Sequence, residues 1–391
     1  MDFNLTLEQR QFRDSVDRFA RDRLAPGALK RAHDPKFPFD ASRLAAEAGL
    51  LGITIPEAEG GQGGTLMDAI IAIETVALHD PRGADAIQQG NFGAIRTVAE
   101  YATPAQKERY LPGMLRGEVA IGLGMTEAGA GSAVTDLVTS VTPDGDGWRL
   151  NGGKVFTSHS AEANVFLIYC RFGPGVDGIG SVIIERGQEG FSFGQPSNYM
   201  NTEQWCALYF DNVRVEKENV MLGPGSFKKQ ISGFNAERLG NAARARALGE
   251  FAFAAARDHA LERRQFGRPL CDFQGIQWKF ADMQVALESA RMLLYRAAVA
   301  ADTGLPSAQD TALAKLMCNR AGFDAANEAV QIMGGTGYCD EHLVEYCFRK
   351  TRGWMIAGGS LEMMRNRIAE GVFGRSFSQR PPRPVVMEAA E

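Results

Sequence analysis

The chain has 391 residues, a formal net charge of −5, 45% apolar residues and 23% charged residues, ordinary values for a soluble globular protein of two or three packed domains. The acidic balance excludes a broad nucleic-acid surface, and no apolar run approaches the roughly 20 residues that span a bilayer. Six cysteines without Cys-x-x-Cys spacing and five histidines without paired spacing argue against a disulfide framework or a metal site, and Met1-Asp2-Phe3-Asn4 carries no apolar signal core, so a cytoplasmic protein is expected.

Residues 1–118 predict a helical domain. Thr6 and Gln9 form a capping box, Phe12, Val16, Phe19 and Ala20 follow at helical spacing, and Ala25-Pro26 ends the run. Asp40 is positioned to cap a helix that closes at Gly49. Residues 65–79 and 83–101 read as helices, and Thr103-Pro104 starts another with proline at its first position. Over 119–227 the pattern becomes that of a small antiparallel β domain. Leu137, Thr139 and Val141 alternate, Asp144-Gly145-Asp146-Gly147 makes a turn before Trp148, and 165–169, 181–184 and 208–210 are further strands. Helical periodicity returns over 228–378, in segments 233–262, 274–302, 307–335 and 341–372. Residues 379–391, with Pro381-Pro382 and Pro384, read as an extended or disordered tail. Helices, then strands, then helices make an α+β class rather than a doubly wound sheet. The early Gly122-Leu123-Gly124 has Glu127 where a dinucleotide fingerprint needs its third glycine.

Five segments carry chemistry. Thr126-Glu127-Ala128-Gly129-Ala130-Gly131-Ser132 lets backbone approach a flat or phosphorylated ligand, or is a plain glycine-rich turn. Asn151-Gly152-Gly153-Lys154-Val155-Phe156-Thr157-Ser158 offers one aromatic ring and two hydroxyls, or is an ordinary hairpin. Arg263-Arg264-Gln265-Phe266-Gly267-Arg268-Pro269-Leu270, with Gln274 beyond, suits phosphate binding or is a solvated helix connection. Gln331-Ile332-Met333-Gly334-Gly335-Thr336-Gly337-Tyr338 reads as a helix C-cap or a close backbone approach to a ligand. In Ala357-Gly358-Gly359-Ser360-Leu361-Glu362, Ser360 starts a helix whose free amides face an anion or a carbonyl oxygen.

Taken in order, these segments resemble the acyl-CoA dehydrogenase family of FAD flavoproteins over residues 5–374. The resemblance implies an N-terminal helical domain, a middle antiparallel β-barrel or sandwich, and a C-terminal four-helix bundle, with FAD between the last two. It implies that Leu123, Thr126, Gly131 and Ser132 line the flavin and pyrophosphate, and that Phe156, Thr157 and Ser158 flank the isoalloxazine. Arg263, Phe266, Gln274, Gln331 and Gly335 would reach the FAD of a neighbouring subunit, and Ser360 and Glu362 its adenosine side. Shared cofactor sites imply a homo-oligomer, a tetramer built as a dimer of dimers. The implied partners are an acyl-CoA substrate and an electron-transferring flavoprotein as acceptor.

Many relatives carry the catalytic glutamate immediately before Gly-Thr, where this chain has Gly358, which takes no proton. A smaller set, resembling isovaleryl-CoA and long-chain enzymes, carries it on a helix before an arginine. This chain reads Asn235-Ala236-Glu237-Arg238, and the interval from Arg238 to Phe266 matches without a gap, so the resemblance assigns Glu237 as base. A surface glutamate in the first turn of a helix, where the dipole favours it, is the bland alternative. The implied reaction is α,β-dehydrogenation of a thioester to the trans-2-enoyl-CoA. Glu237 takes the α-proton, FAD N5 takes the β-hydride, and the thioester oxygen meets a ribityl hydroxyl and the Gly358 amide. A carboxylate in a dry cleft is expected to titrate high. Ser132, Asn235, Arg238, Ala357 and Gly359 would meet the substrate, Trp354 and Asn91 would border the acyl pocket, and small residues at 357 and 358 leave room for a branched, aromatic or alicyclic group. Two rival readings remain. One is an oxygen-reactive flavin oxidase or monooxygenase on the same scaffold, against which Glu237 beside Arg238 argues. The other is a non-catalytic FAD- or acyl-CoA-binding subunit, which would explain Gly358 without needing Glu237.

Overall fold

The computed structural model describes residues 4–301 and 305–380; residue 302 of the expected 274–302 helix and residues 381–391 of the expected tail lie outside the described residues. Helix α1 (Leu7–Phe19) starts under the Thr6–Gln9 capping box, and a wider turn over Ala20–Leu24 leads past Pro26 into α2 (Ala28–His33). Asp40 is not a cap. It lies in the first turn of α3 (Phe39–Glu47), where its carboxylate accepts from Arg31 at 2.7 Å, because a buried guanidinium holds it more strongly than an exposed amide would. Helix α4 (Leu66–Ala77) is apolar on nearly every side and is buried accordingly. The expected helix over 83–101 is two, α5 (Ala84–Asn91) and α6 (Ala94–Tyr101), broken where Gly93 adopts φ +71°. Helix α7 (Pro104–Leu115) starts under the Thr103–Gln106 capping box.

The middle segment forms β1 (Ile121–Gly124), β2 (Ser140–Asp144), β3 (Gly147–Lys154), β4 (Val165–Arg171), β5 (Ile179–Glu185), β6 (Phe191–Phe193), β7 (Ser197–Asn198), β8 (Gln204–Trp205), β9 (Leu208–Val215) and β10 (Val220–Leu222). The main sheet runs β10-β5-β4-β2-β3-β9-β6, with β1 on β4. Most ladders are antiparallel as expected, but β1 pairs with β4 in parallel, so the sheet is mixed. A long irregular connection separates β1 from the hairpin strands, and strands not joined by a tight turn are free to run parallel.

Helix α8 (Phe227–Glu262) starts at 227 rather than 233, which puts Glu237 well inside the helix and not in its first turn. The basic connection closes as a small hairpin of β11 (Arg264–Gln265) and β12 (Arg268–Pro269). Helices α9 (Gln274–Val299), α10 (Ala308–Met333), α11 (Gly335–Tyr338), α12 (Leu343–Trp354) and α13 (Leu361–Phe373) complete the chain. The 341–372 segment is therefore two helices, separated by Gly358 (φ +70°) and Gly359 (φ +93°), and Ser360 caps the second by accepting from Met363 N at 3.4 Å. Helices α8 and α10 cross at Gly249 and Gly322, where a Cβ on Gly322 would lie 2.0 Å from Ala245 O. Helices α8, α9 and α10 with α12–α13 form the bundle. Val16, Ile70, Ile73, Leu239, Leu248 and Leu294 belong to one core, so N- and C-terminal helices pack as a single unit. Separate cores lie within the sheet and between the sheet and α6–α7. The site falls where these three bodies meet.

Candidate active site

Glu237 projects from α8 toward α5. Its Oε1 accepts from Gln88 Nε2 at 2.9 Å, and a Cβ on Gly93 would stand 3.0 Å from its Oε2. The break between α5 and α6 is thus what leaves room for the carboxylate. Burial raises the carboxyl to about 7, against the opposing pull of Arg244, the Gln88 amide, Lys315 and Arg238. This is not the surroundings of a solvated surface glutamate.

The α12–α13 break lies beside it. Arg238 Nε donates to Gly358 O at 3.0 Å. Lys315, from α10, donates to Ala357 O at 2.7 Å, and to Trp354 O and Asn241 Oδ1 at 3.3 Å each. Glu237, Arg238, Ala357, Gly358 and Gly359, singled out from two distant segments, are therefore brought together. Asn235 is turned aside: its Nδ2 donates to Pro306 O at 3.1 Å and its Oδ1 accepts from Arg238 Nη1 at 3.1 Å. Asn91 is no pocket wall. It is fully buried, accepts from Ile53 N at 2.6 Å and donates to Leu50 O and Ile87 O at 2.8 Å, because its amide is needed to satisfy the backbone of the 50–53 loop.

A buried ionic cluster stands behind this arrangement. Asp85 of α5 accepts from Arg82 Nη1 at 2.6 Å and from Lys350 Nζ of α12 at 2.7 Å, and also pairs with Arg244 of α8. Glu203 pairs with both Lys350 and Arg82. Burial pushes the Asp85 carboxyl up, but Arg244, Lys350 and Arg82 outweigh it and hold it well below the usual carboxylate range. The Arg244 guanidinium lies 4.1 Å over the Trp354 ring. Helices α5, α8 and α12 are thereby tied around Glu237.

On the sheet side, Phe156 follows β3 in a left-handed conformation (φ +56°), its ring 56% exposed and 4.5 Å from that of Trp205, with Tyr199 stacked 6.0 Å beyond. Thr157 is buried, and its Oγ1 has no hydrogen-bond partner among the described residues. Open space stands where Gly129 and Gly131 would carry a side chain. Leu123 and Thr126 are half-buried, while Ser132 and Ser158 are exposed. Glu127 is structural: its carboxylate pairs with buried Lys154 at 2.7 Å and accepts the amides of Val138 and Thr139 at 2.6 and 3.0 Å. An exposed aromatic face, an unpaired buried hydroxyl and glycines open to close approach fit a flat, phosphorylated cofactor. Arg263, Phe266, Gln274, Gln331 and Gly335 all lie on exposed surface, Phe266 being 94% exposed. Ser360 and Glu362 sit at the start of α13.

Gln88, Trp205, Arg244 and Lys315 were missed from sequence. The one available signal was at 315, a lysine in register with Thr311, Ala312, Cys318, Asn319 and Gly322 on the buried face of α10.

Helices flanking a mixed sheet, a carboxylate buried between helices and, on the sheet side, an exposed aromatic ring beside a buried hydroxyl with no partner among the described residues fit a cofactor-dependent oxidoreductase. Models of the acyl-CoA dehydrogenase N-terminal, middle and C-terminal domains match residues 6–118, 122–213 and 227–373. The short-chain specific acyl-CoA dehydrogenase of Clostridium acetobutylicum is 33% identical over 95% of this chain and 100% of its own length. The butyryl-CoA dehydrogenase structure from Megasphaera elsdenii superimposes with a TM-score of 0.88 at 32% identity, covering 95% of this chain and 100% of that one. A glutaryl-coenzyme A dehydrogenase in complex with glutaryl-CoA gives 0.90 at 32% identity, covering 96% and 97%. The chain belongs to the acyl-CoA dehydrogenase family, FAD-dependent oxidoreductases. No helix among the described residues is long and apolar enough to cross a membrane.

Proposed function

We propose that this chain oxidises the Cα–Cβ bond of an acyl-CoA thioester to the trans-2-enoyl-CoA with Glu237 as base, as in the helix-borne subset of the family. The observation that carries this reading is a carboxylate raised to about 7 by burial, facing Gln88 and Gly93, beside a loop whose position 358 has no proton acceptor. A base near working pH is matched to abstraction of a weakly acidic α-proton. No backbone carbonyl among the described residues takes the Gly358 N–H, which leaves it to meet the thioester oxygen as negative charge develops there. FAD held by these residues would supply the hydride-accepting chemistry for the β-hydrogen. The protein's part is to hold the carboxylate, the Cα–Cβ bond and the cofactor in line and to keep water out.

Leu123, Thr126, Gly131 and Ser132 would line the flavin and its pyrophosphate, Phe156 would cover the ring, and Thr157 and Ser158 would bond its edge. The exposure of Arg263, Phe266, Gln274, Gln331 and Gly335 supports their reaching the FAD of a neighbouring subunit in a homo-oligomer, with Ser360 and Glu362 toward the adenosine. Ser132, Arg238, Ala357 and Gly359 would meet the acyl-CoA. An electron-transferring flavoprotein is the acceptor the family resemblance suggests, and six free thiols support a reducing, cytoplasmic setting.

The test is anaerobic titration of the wild type and Glu237→Gln with straight, branched, aromatic and alicyclic acyl-CoAs, following flavin absorbance. Bleaching in wild type but not in the variant is expected. Undiminished bleaching in the variant would remove Glu237 from the reaction. No bleaching by any thioester would favour a silent binding subunit, and fast reoxidation in air an oxidase.

A further inference from the structure

Lys315 is a buried cation for which the reaction as proposed has no use. It has no exposed surface, and three oxygens surround its Nζ: Ala357 O at 2.7 Å, with Trp354 O and Asn241 Oδ1 at 3.3 Å. An ammonium has three N–H donors and a neutral amine two, so this set favours the charged form. Asn319, one turn further along α10, donates to the same Trp354 O at 2.6 Å and to Asn241 Oδ1 at 2.8 Å. These three side chains hold the end of α12, where the last carbonyls carry the negative end of the helix dipole. The chain then passes through two left-handed glycines with no side chains to anchor it.

The contact to Ala357 O reaches into the site. Ala357 C=O and Gly358 N–H belong to one planar trans peptide and point in opposite directions. A cation gripping the oxygen fixes the direction of the N–H and, by polarising the amide, makes it a stronger donor. A Cβ on Gly358 would lie only 3.7 Å from Lys315 Nζ.

We propose that Lys315 is a positioning residue: it orients and polarises the Ala357–Gly358 peptide so that its N–H meets the thioester oxygen, while serving as a countercharge to Glu237. This rests on the reading of Glu237 as base and Gly358 as amide donor. Glu237 is faced by Gln88 from α5, by Arg238 and Arg244 from its own helix, and by Lys315 from α10; Arg244 in turn is faced by Asp85 of α5 and Lys350 of α12. Burial draws Lys315 down to about 7, with Arg238 adding to the effect and Glu237 opposing it, so Lys315 and Glu237 stabilise each other's charge.

The test uses FAD-loaded protein, with Lys315→Met and Asn319→Leu, and two probes of one chain length. Crotonyl-CoA has a thioester carbonyl and S-butyl-CoA, a thioether, has none. In Lys315→Met, crotonyl-CoA should bind about ten-fold more weakly, the worth of one good hydrogen bond, while S-butyl-CoA stays within about two-fold. Turnover should fall roughly 10–100-fold. Its acid limb should move to higher pH, because removing a cation makes the Glu237 carboxyl harder to ionise. Asn319→Leu removes a tether but no charge and should slow turnover without moving that limb. Equal weakening of both probes in Lys315→Met, or of neither, overturns the proposal. Should that variant not fold, Lys315→Gln keeps donors without charge and is judged by the same comparison. Continued α-proton exchange by Glu237→Gln would instead overturn the base assignment, a separate outcome from the probe comparison.

Discussion

Replacing Glu237 by Gln should change how stability depends on pH. The folded carboxyl titrates near 7 against an ordinary 4.5. At 1.36 kcal/mol per pH unit, that difference is worth at most about 3 kcal/mol. The sign follows from proton binding. Between 4.5 and 7 the folded protein keeps a proton that the unfolded chain has lost, so this contribution is full below 4.5 and disappears as pH rises through 7. Glutamine keeps an oxygen for the Gln88 amide and does not titrate. The variant should therefore gain on the wild type as pH rises from 5 to 8, by up to about 3 kcal/mol and a few degrees in thermal midpoint. The assay is the unfolding midpoint of both FAD-loaded proteins across that range, with the difference taken at each pH so that common titrations cancel. The same substitution should slow flavin bleaching by roughly 10²–10⁴-fold and remove an acid limb near pH 7. Parallel stability profiles would refute the reasoning, since they would mean a carboxyl that titrates as it does in water.

Thr157→Val removes the buried hydroxyl that has no partner among the described residues; FAD affinity measured by fluorescence titration should drop about ten-fold while the fold loses no hydrogen bond. Asp85→Asn leaves Arg82, Arg244 and Lys350 short of a buried countercharge, and chemical denaturation should show a loss of about 3–5 kcal/mol. Gly322→Ala sets a methyl 2.0 Å from Ala245 O, a backbone atom that cannot move alone; α8 and α10 should be forced apart, costing about 1–3 kcal/mol in a thermal melt.

Local features were legible wherever the groups involved lie within one turn. The Thr6–Gln9 box joins residues three apart and formed, and the helix start read at Thr103-Pro104 is one. Ser360 was read as a helix start and is one. The breaks at Gly93 and between α12 and α13 were less legible, because apolar periodicity continues on both sides of the glycines and hides the interruption. The parallel pairing of β1 with β4 lay outside the antiparallel expectation for a different reason: periodicity shows that a segment is a strand but carries no information about which neighbour it meets or how. Glu237 could be named as a position by resemblance, yet its burial depends on Gln88 and Gly93 from a helix pair far back in the chain.

What the sequence determined by itself was the order of helices, strands and helices, the capping box at Thr6, the five segments that carry the family resemblance, and the presence of Glu-Arg where Gly358 offers no carboxylate. Only the tertiary structure decided that Lys315 faces Ala357, that Asp85 holds Arg82, Arg244 and Lys350 together, and that Thr157 keeps an unpaired hydroxyl inside. The physical reason is range. Capping and periodicity act over a few residues, whereas the energy of a buried charge depends on every group within several ångströms, and packing brings those groups from segments as distant as 85 and 350.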